Sequence, residues 1–386
     1  VNNSNQTHVL YILTKLELGG AQKVCLTLLD GLAKNGWQSS LISGNQGVLL
    51  DTAKQHSSAY FIDSFKREVS LRGIWHEFKT LIEMTRLIKK IKKTTPSIIV
   101  HTHSTKAGVL GRWAAFFSGV KIRVHTVHGF GFNEHQRIHM WLFAYLMEFI
   151  TSLVTTHYIC VTDKDIEIGN KKIFNFKNKS SIIRAAVESE KFVFSPALKD
   201  YKNTEIIIGT VSCFKPQKNL FDLFKAFKIT TENCIQKNIR LQIIGDGIMR
   251  PQIEEWILSN NLQNQIELLG WQNNVYEWMK NWDIFAMSSL WEGLPMAVVE
   301  ARLSKLPVIA YNVGGIYEII KNNKNGFIVE PGNWQELAKK LTAVTENNLL
   351  RKKLSSFNDR LYDFDNKAMI EQHIMLYSKL ESKLTT

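Results

Sequence analysis

Two glutamates, Glu292 and Glu300, stand eight positions apart in the segment SSLWEGLPMAVVEARLSKLPVIAYNVGG. The apolar run DIFAMSS ahead of them reads as a strand, and the pattern that follows opens a helix whose first turn carries Pro295, a residue suited there because it has no N–H to lose. Glu292 then falls in the loop before the helix and Glu300 in its second turn, so both carboxylates reach the same end of the strand without being helical neighbours. The free N–H groups around Leu294 to Ala297, Met296 among them, and the positive end of the helix dipole make a site for sugar hydroxyls or phosphate oxygens. Carboxylates accept hydrogen bonds from vicinal hydroxyls, which gives each glutamate a task, one on a sugar and one on a ribose. Either glutamate alone could be a capping or surface residue; the pair in this setting points to a ligand.

Histidines form the second group. His128 ends a strand-like run in HTVHGF and is followed by Gly129, a placement that favours a site residue over a packed one. His101 and His103 alternate with Thr102 and share one strand face; His103, nearer the strand end, is the cleft candidate, and a hydrogen-bonded core histidine is the competing reading. No histidine pairs with carboxylates at a metal-ligand spacing, and Cys25, Cys160, Cys213 and Cys234 are scattered without a C-x-x-C, so neither a metal site nor a disulfide framework is expected.

The elements that must position these groups come from alternating strand-like and helical runs, the pattern of βαβ units with a parallel sheet. The alternation occurs twice. HVLYILT, SIIVHTH, IRVHTVH and YICVT are strands of the first half, with a helix over AQKVCLTLLDGLAKNG ended by Gly36. EIIIGTVSCF, LQIIGDG, IELLG, DIFAMSS, PVIAYN and GFIVEP are strands of the second. Ser195–Glu205 is polar, carries a proline and lacks apolar periodicity, as a linker would. The expected division is therefore a first Rossmann-like domain over 1–194, a linker over 195–205, a second domain over 206–360, and a C-terminal helix over 361–386 able to pack back on the first. Ligands of such sheets bind at the carboxyl ends of the strands, here in a cleft between the domains.

Charge is uneven. Residues 1–184 hold 24 Lys and Arg against 12 Asp and Glu, whereas residues 185–386 hold 24 against 23, so nearly all of the +13 net charge lies in the first half. That imbalance suits an anionic partner such as a membrane surface or a polyprenyl phosphate. Its densest run, Lys89, Lys90, Lys92 and Lys93, closes a helix expected to pack through Ile74, Phe78, Leu81, Ile82, Ile88 and Ile91. The greasy stretch Trp141–Ile150 is too short to span a bilayer and contains Glu148, which predicts a buried helix. No module with interleaved aromatics for nucleic acid is present, so no nucleic-acid partner is expected.

In these motifs the chain resembles glycosyltransferase family 4, retaining enzymes of the GT-B fold with two doubly wound α/β domains. The resemblance spans nearly the whole chain: LELGGAQ, HTHSTKAGVLGR, HTVHG, FKPQKN, GDG, GWQNNV and, most specifically, WEGLPMAVVEA occur in order. It implies that Glu292 approaches the transferred sugar and Glu300 the ribose, that Lys218 is the cation on the donor diphosphate, and that His128 lies beside the sugar. Gly19, Gly20, Gly245 and Gly293 join Leu294, Pro295, Met296 and Ala297 as implied donor contacts, with His103 and Lys106 on the acceptor side and the base near Trp271–Val275. One position departs from the family: Cys213 stands where an arginine is usual. Lys215 could compensate if the segment stays extended, since alternation would aim both residues to one side, or backbone N–H groups could take that part, with Gly19 and Gly20 letting the first-domain loop approach the diphosphate closely.

The implied reaction is metal-free and cofactor-free transfer of a sugar from a nucleotide-sugar co-substrate, UDP before GDP, to a glycan or polyprenyl-linked acceptor in surface-polysaccharide synthesis. It would take place at the cytoplasmic membrane face. A UDP-sugar epimerase on the same fold and a basic membrane- or nucleic-acid-binding protein are the alternatives.

Overall fold

The computed structural model describes residues 7–17, 19–55, 58–66, 74–95, 97–133, 136–192 and 205–385. The chain forms two compact units, one of residues 1–186 with 366–386 and one of residues 187–365. The change of unit thus falls at Ala186/Val187 rather than at 194, and the expected linker lies outside the described residues except for Glu205. Residues 361–365 stay with the second unit, where the Val187 N–H donates to the Phe364 carbonyl at 2.9 Å.

The first unit is built on seven parallel strands, β1 (His8–Leu13), β2 (Gln38–Gly44), β3 (Ala59–Ile62), β4 (Ile98–His103), β5 (Ile122–Val127), β6 (His157–Cys160) and β7 (Ser180–Ile182), in the order β3-β2-β1-β4-β5-β6-β7. β2, β3 and β7 escape sequence reading: QSSLISG and SSI carry serines in place of the apolar run that marks a buried strand, and AYFI is only four residues long. Six helices connect them: α1 (Gly20–Lys34), α2 (Leu50–Lys54), α3 (Ile74–Thr94), α4 (Thr105–Phe117), α5 (Ile138–Ser152) and α6 (Asp163–Lys172). α3 packs on α4 and α4 on α5, forming one layer.

Two helices differ from expectation. α3 packs through Leu81, Met84, Ile88 and Ile91, while Phe78 and Ile82 point outward, because residues 81, 84, 88 and 91 make one stripe and 78 and 82 rotate off it. α5 is not a buried helix. Leu142, Phe143, Leu146 and Ile150 are exposed, and Glu148 is the buried member, held by both guanidinium nitrogens of Arg112 at 2.8 and 2.9 Å and by the Tyr158 hydroxyl at 2.8 Å.

The second unit carries six parallel strands, β8 (Glu205–Val211), β9 (Asn238–Ile244), β10 (Ile266–Gly270), β11 (Ile284–Met287), β12 (Val308–Tyr311) and β13 (Gly326–Val329), ordered β10-β9-β8-β11-β12-β13. Its helices are α7 (Leu220–Asn233), α8 (Arg250–Ser259), α9 (Val275–Asn281), α10 (Met296–Leu303), α11 (Ile316–Ile319), α12 (Trp334–Glu346) and α13 (Asn348–Ser355). The strands read as near-continuous Ile, Val, Leu and Phe runs because helices cover both faces of a parallel sheet. The last helix, α14 (Asn366–Thr385), packs against α1, where Ile370 fills the space a side chain at Gly31 would need.

Candidate active site

In an open α/β sheet the strand order reverses at one point, and loops leaving the carboxyl ends of the two strands there diverge to leave room for a ligand. In the second unit that point lies between β8 and β11. The loop after β8 leads to a short 3-10 turn, Pro216–Lys218, and the loop after β11 carries Glu292.

The two loops are stitched together. Leu290 N donates to the Gln217 carbonyl at 2.8 Å, Gln217 Nε2 to the Trp291 carbonyl at 2.7 Å, and Ser288 Oγ to the carbonyls of Lys218 and Asn219 at 3.1 and 2.9 Å. Asn219 adopts the left-handed conformation, φ 45° and ψ 48°, which asparagine tolerates better than most residues and which turns the chain into α7. In this frame Lys218 Nζ lies 2.5 Å from Glu292 Oε1, both groups being largely buried. Sequence reading named Lys218 and Glu292 separately and missed Gln217, Ser288 and Asn219, which position them; backbone-directed bonds leave no spacing signal.

Pro295 is the N-cap of α10 and not part of its first turn, with φ −77° and ψ 94° and no side-chain cap. The first N–H groups of the helix, from Met296 and Ala297 onward, therefore have no side-chain acceptor from the cap, and Glu300 sits in the second turn, half-buried. Leu294 is half-buried ahead of them. Gly293 meets the loop after β12: Gly315 N donates to the Gly293 carbonyl at 2.9 Å, and a side chain at Gly314, φ +55°, would collide with that same oxygen. Gly245 is equally constrained, with φ +135° and the Ser212 carbonyl 2.0 Å from where a Cβ would stand, so it shapes the β9 end. Trp271 is exposed just after β10.

Cys213 and Lys215 do not alternate along an extended segment. β8 ends at Val211, and the Lys215 N–H donates to the Cys213 carbonyl at 2.8 Å, closing a three-residue turn. The expected extended segment is therefore interrupted here by a turn.

In the first unit the strand order reverses between β1 and β4. His103 ends β4, fully buried, and its Nδ1 lies 3.0 Å from Nε2 of half-buried His128, which follows β5. His103 is thus buried and bonded to His128 through Nδ1, while its Nε2 is buried without a hydrogen-bond partner among the described residues. Behind the pair, His101 Nδ1 meets the Tyr377 hydroxyl at 2.6 Å, and that hydroxyl lies 3.0 Å from Tyr11 Oη, so α14 secures this sheet face. Burial and neighbouring histidines hold His101 and His103 well below the ordinary imidazole value, and His128 is lowered to about 4 by the same causes. His128 is therefore neutral near pH 7, able to donate from one ring nitrogen and accept at the other.

Ser104, between His103 and α4, was not legible as special, yet it has φ 67° and ψ 153°, held by its Oγ 2.9 Å from Thr14 Oγ1 at the end of β1. Such a conformation costs a non-glycine residue about 1–3 kcal/mol. Lys106 is engaged by Glu77 of α3 at 2.5 Å and by the Lys66 carbonyl. Gly19 caps α1 in an extended conformation, with no side-chain cap, and a Cβ there would meet only the mobile tip of Gln22; Gly20 opens the helix. Among the described residues no three His, Cys, Asp or Glu side chains converge as metal ligands.

Comparison with known proteins bears on the fold and the family. The family model for "Glycosyl transferases group 1" matches residues 195–360, and that for "Glycosyltransferase Family 4" matches residues 18–183. The chain is 34% identical over 343 residues to an Escherichia coli UDP-Gal:alpha-D-GlcNAc-diphosphoundecaprenol alpha-1,3-galactosyltransferase, covering 86% of each chain. It is 27% identical to the Staphylococcus aureus capsular polysaccharide biosynthesis glycosyltransferase CapM, over 74% of this chain and 75% of that one. Among solved structures, Anabaena HepE in complex with UDP-glucose superposes with a TM-score of 0.78 at 17% identity, covering 96% of this chain and 99% of that one. Sucrose-phosphate synthase from Thermosynechococcus elongatus gives 0.79, also at 17% identity, over 98% and 100%. Two parallel-sheet units with these likenesses make the GT-B fold, and the chain belongs to the family 4 glycosyltransferases.

Proposed function

We propose that this glycosyltransferase moves a hexose from a UDP-sugar, with retention and without a metal ion, to a glycan carried on a polyprenyl diphosphate at the cytoplasmic membrane face. The observation that carries this reading is the Lys218–Glu292 pair at the β8/β11 reversal, beside the N-terminus of α10. A diphosphate has two needs there, a cation and helix N–H groups without a side-chain cap, and both are at hand. The choice of UDP and of a lipid-linked acceptor is supported by the E. coli relative, whose name states both.

On this reading Lys218 takes a diphosphate oxygen, Glu300 the ribose hydroxyls and Glu292 the hexose, with the base near Trp271–Val275. The C1–O bond to the diphosphate breaks, the acceptor oxygen bonds C1 from the same side, and the acceptor proton passes to the departing phosphate oxygen. Positioning plus charge stabilisation supply the rate. Transfer assays with a panel of UDP- and GDP-sugars test the donor: consumption of a UDP-hexose only when acceptor is present supports the reading, and interconversion of free UDP-sugars without acceptor would replace it with epimerisation.

A further inference from the structure

The outward face of α5 is apolar although it is exposed. Its inward arc carries the buried Glu148, Thr151 and Ser152 beside the core-packed Trp141, Ala144 and Tyr145, while its outward arc carries Ile138, Leu142, Phe143, Leu146 and Ile150, followed by Leu153 just past the helix. Ile138 is 76% exposed and Leu153 68%. A helix on a water-soluble surface shows polar residues on that side. With Glu148 turned inward, the exposed side of this 15-residue helix has no charged carboxylate or ammonium.

The apolar surface continues onto α4. Trp113 Nε1 donates to Thr151 Oγ1 at 3.1 Å, which sets the end of α4 beside the end of α5, and Phe116 and Phe117 are both exposed there. Cations border this surface. Lys92 Nζ donates to the Gly119 carbonyl at 2.7 Å, so the lysine run of α3 reaches the same end of α4, with Lys89, Lys90 and Lys93 exposed. The Arg123 guanidinium lies 5.6 Å from the Phe116 ring centre, and Lys172 Nζ lies 5.3 Å from that of Trp141 on α5.

We propose that the outward face of α5, with Phe116 and Phe117, inserts into the interface of an anionic lipid bilayer, the surrounding lysines and arginines meeting its headgroups. An apolar helix face rimmed by cations is the combination an interfacial helix uses. A second copy of the chain would instead bring two cationic rims together, which disfavours self-association through this face. The lysine run alone, read from sequence, supplies only the screened part of the attraction. This surface rests on the membrane-linked acceptor proposed above for its purpose, although not for its physics.

The test is cosedimentation of the full chain with vesicles of phosphatidylethanolamine and phosphatidylglycerol. The variant Leu142→Gln/Leu146→Gln/Ile150→Gln changes only outward side chains, and circular dichroism checks its fold. Wild type should bind, and the variant should bind about tenfold more weakly or worse at both low and high salt. Lys89→Gln/Lys90→Gln/Lys93→Gln should lose binding mainly at low salt. Equal binding by wild type and the leucine variant, no binding by wild type, or a wild-type dimer that the leucine variant dissociates would each overturn the proposal. Transfer to a short-chain, water-soluble acceptor separates the two readings: it should be equal in wild type and the leucine variant. A wild type that binds vesicles through α5 yet transfers no sugar would support this surface and remove only the function proposed above.

Discussion

Lys218 Nζ sits 2.5 Å from Glu292 Oε1. The cation proposed for the diphosphate and the carboxylate proposed for the sugar therefore neutralise each other, and an incoming diphosphate must compete for the ammonium. Removing one partner leaves the other charge without its counter-ion in a largely buried place.

This gives Glu292→Gln a distinctive signature. Lys218 is released for the diphosphate, so calorimetry should show UDP affinity equal to or several-fold tighter than wild type. Transfer should fall roughly ten- to hundredfold, as a lost charge-assisted contact in the transition state implies. Weakened UDP binding in this variant would show that Glu292 contacts the nucleotide.

Lys218→Ala and Glu300→Ala should both weaken UDP, because each removes a charged hydrogen-bonding group from the nucleotide portion. The expected loss is about 1.5–3 kcal/mol, roughly ten- to hundredfold in affinity, measured by the same titration. Undiminished UDP binding by both variants would remove the assignment of the site.

The double sheet and the meeting of Lys218 with Glu292 at its reversal point were legible for one physical reason: buried parallel strands and the loops at their ends carry residue-type signals. DIFAMSS, PVIAYN and WEGLPMAVVEA announce themselves in that way. What was not legible depended on direction. Glu148 in the middle of an apolar run reads as a polar interruption of a buried helix, and only its bond to Arg112, 36 residues earlier, shows that the carboxylate is the buried part. Likewise the turn at Cys213–Lys215 is closed by a backbone bond, which no side-chain pattern reports. His103 could be read either way until the His128 contact was seen.

The Arg112–Glu148 pair makes a stability prediction. Arg112 is fully buried and also donates to Thr155 and Tyr158 at 2.8 and 3.1 Å. Glu148→Leu should cost about 3–5 kcal/mol in denaturant unfolding, since it strands a buried guanidinium. Arg112→Met/Glu148→Leu should recover most of that loss. A single variant as stable as wild type would contradict the buried-pair account.

Five histidines, His101, His103, His125, His128 and His373, have imidazole values lowered chiefly by burial. Each is neutral in the folded chain, whereas in the unfolded chain it takes up a proton below its ordinary value of 6.5. Stability present above that pH is therefore lost as pH falls, because the unfolded chain takes up protons that the buried rings do not. The loss should continue to about pH 4, where His128 and His373 titrate in the folded state. Thermal unfolding between pH 7 and 4.5 should show this slope, and His373→Leu should reduce it by one proton's worth. An unchanged slope would place His373 outside the neutral cluster.

The most direct test of the central claim is transfer from a UDP-hexose to a polyprenyl-diphosphate-linked sugar, followed by nuclear magnetic resonance of the new glycosidic bond, in wild type and Glu292→Gln. The account predicts one UDP released per bond formed, an anomeric configuration equal to that of the donor, and a roughly ten- to hundredfold loss of transfer in the variant despite intact UDP binding. An inverted product, or full transfer by Glu292→Gln, would contradict it.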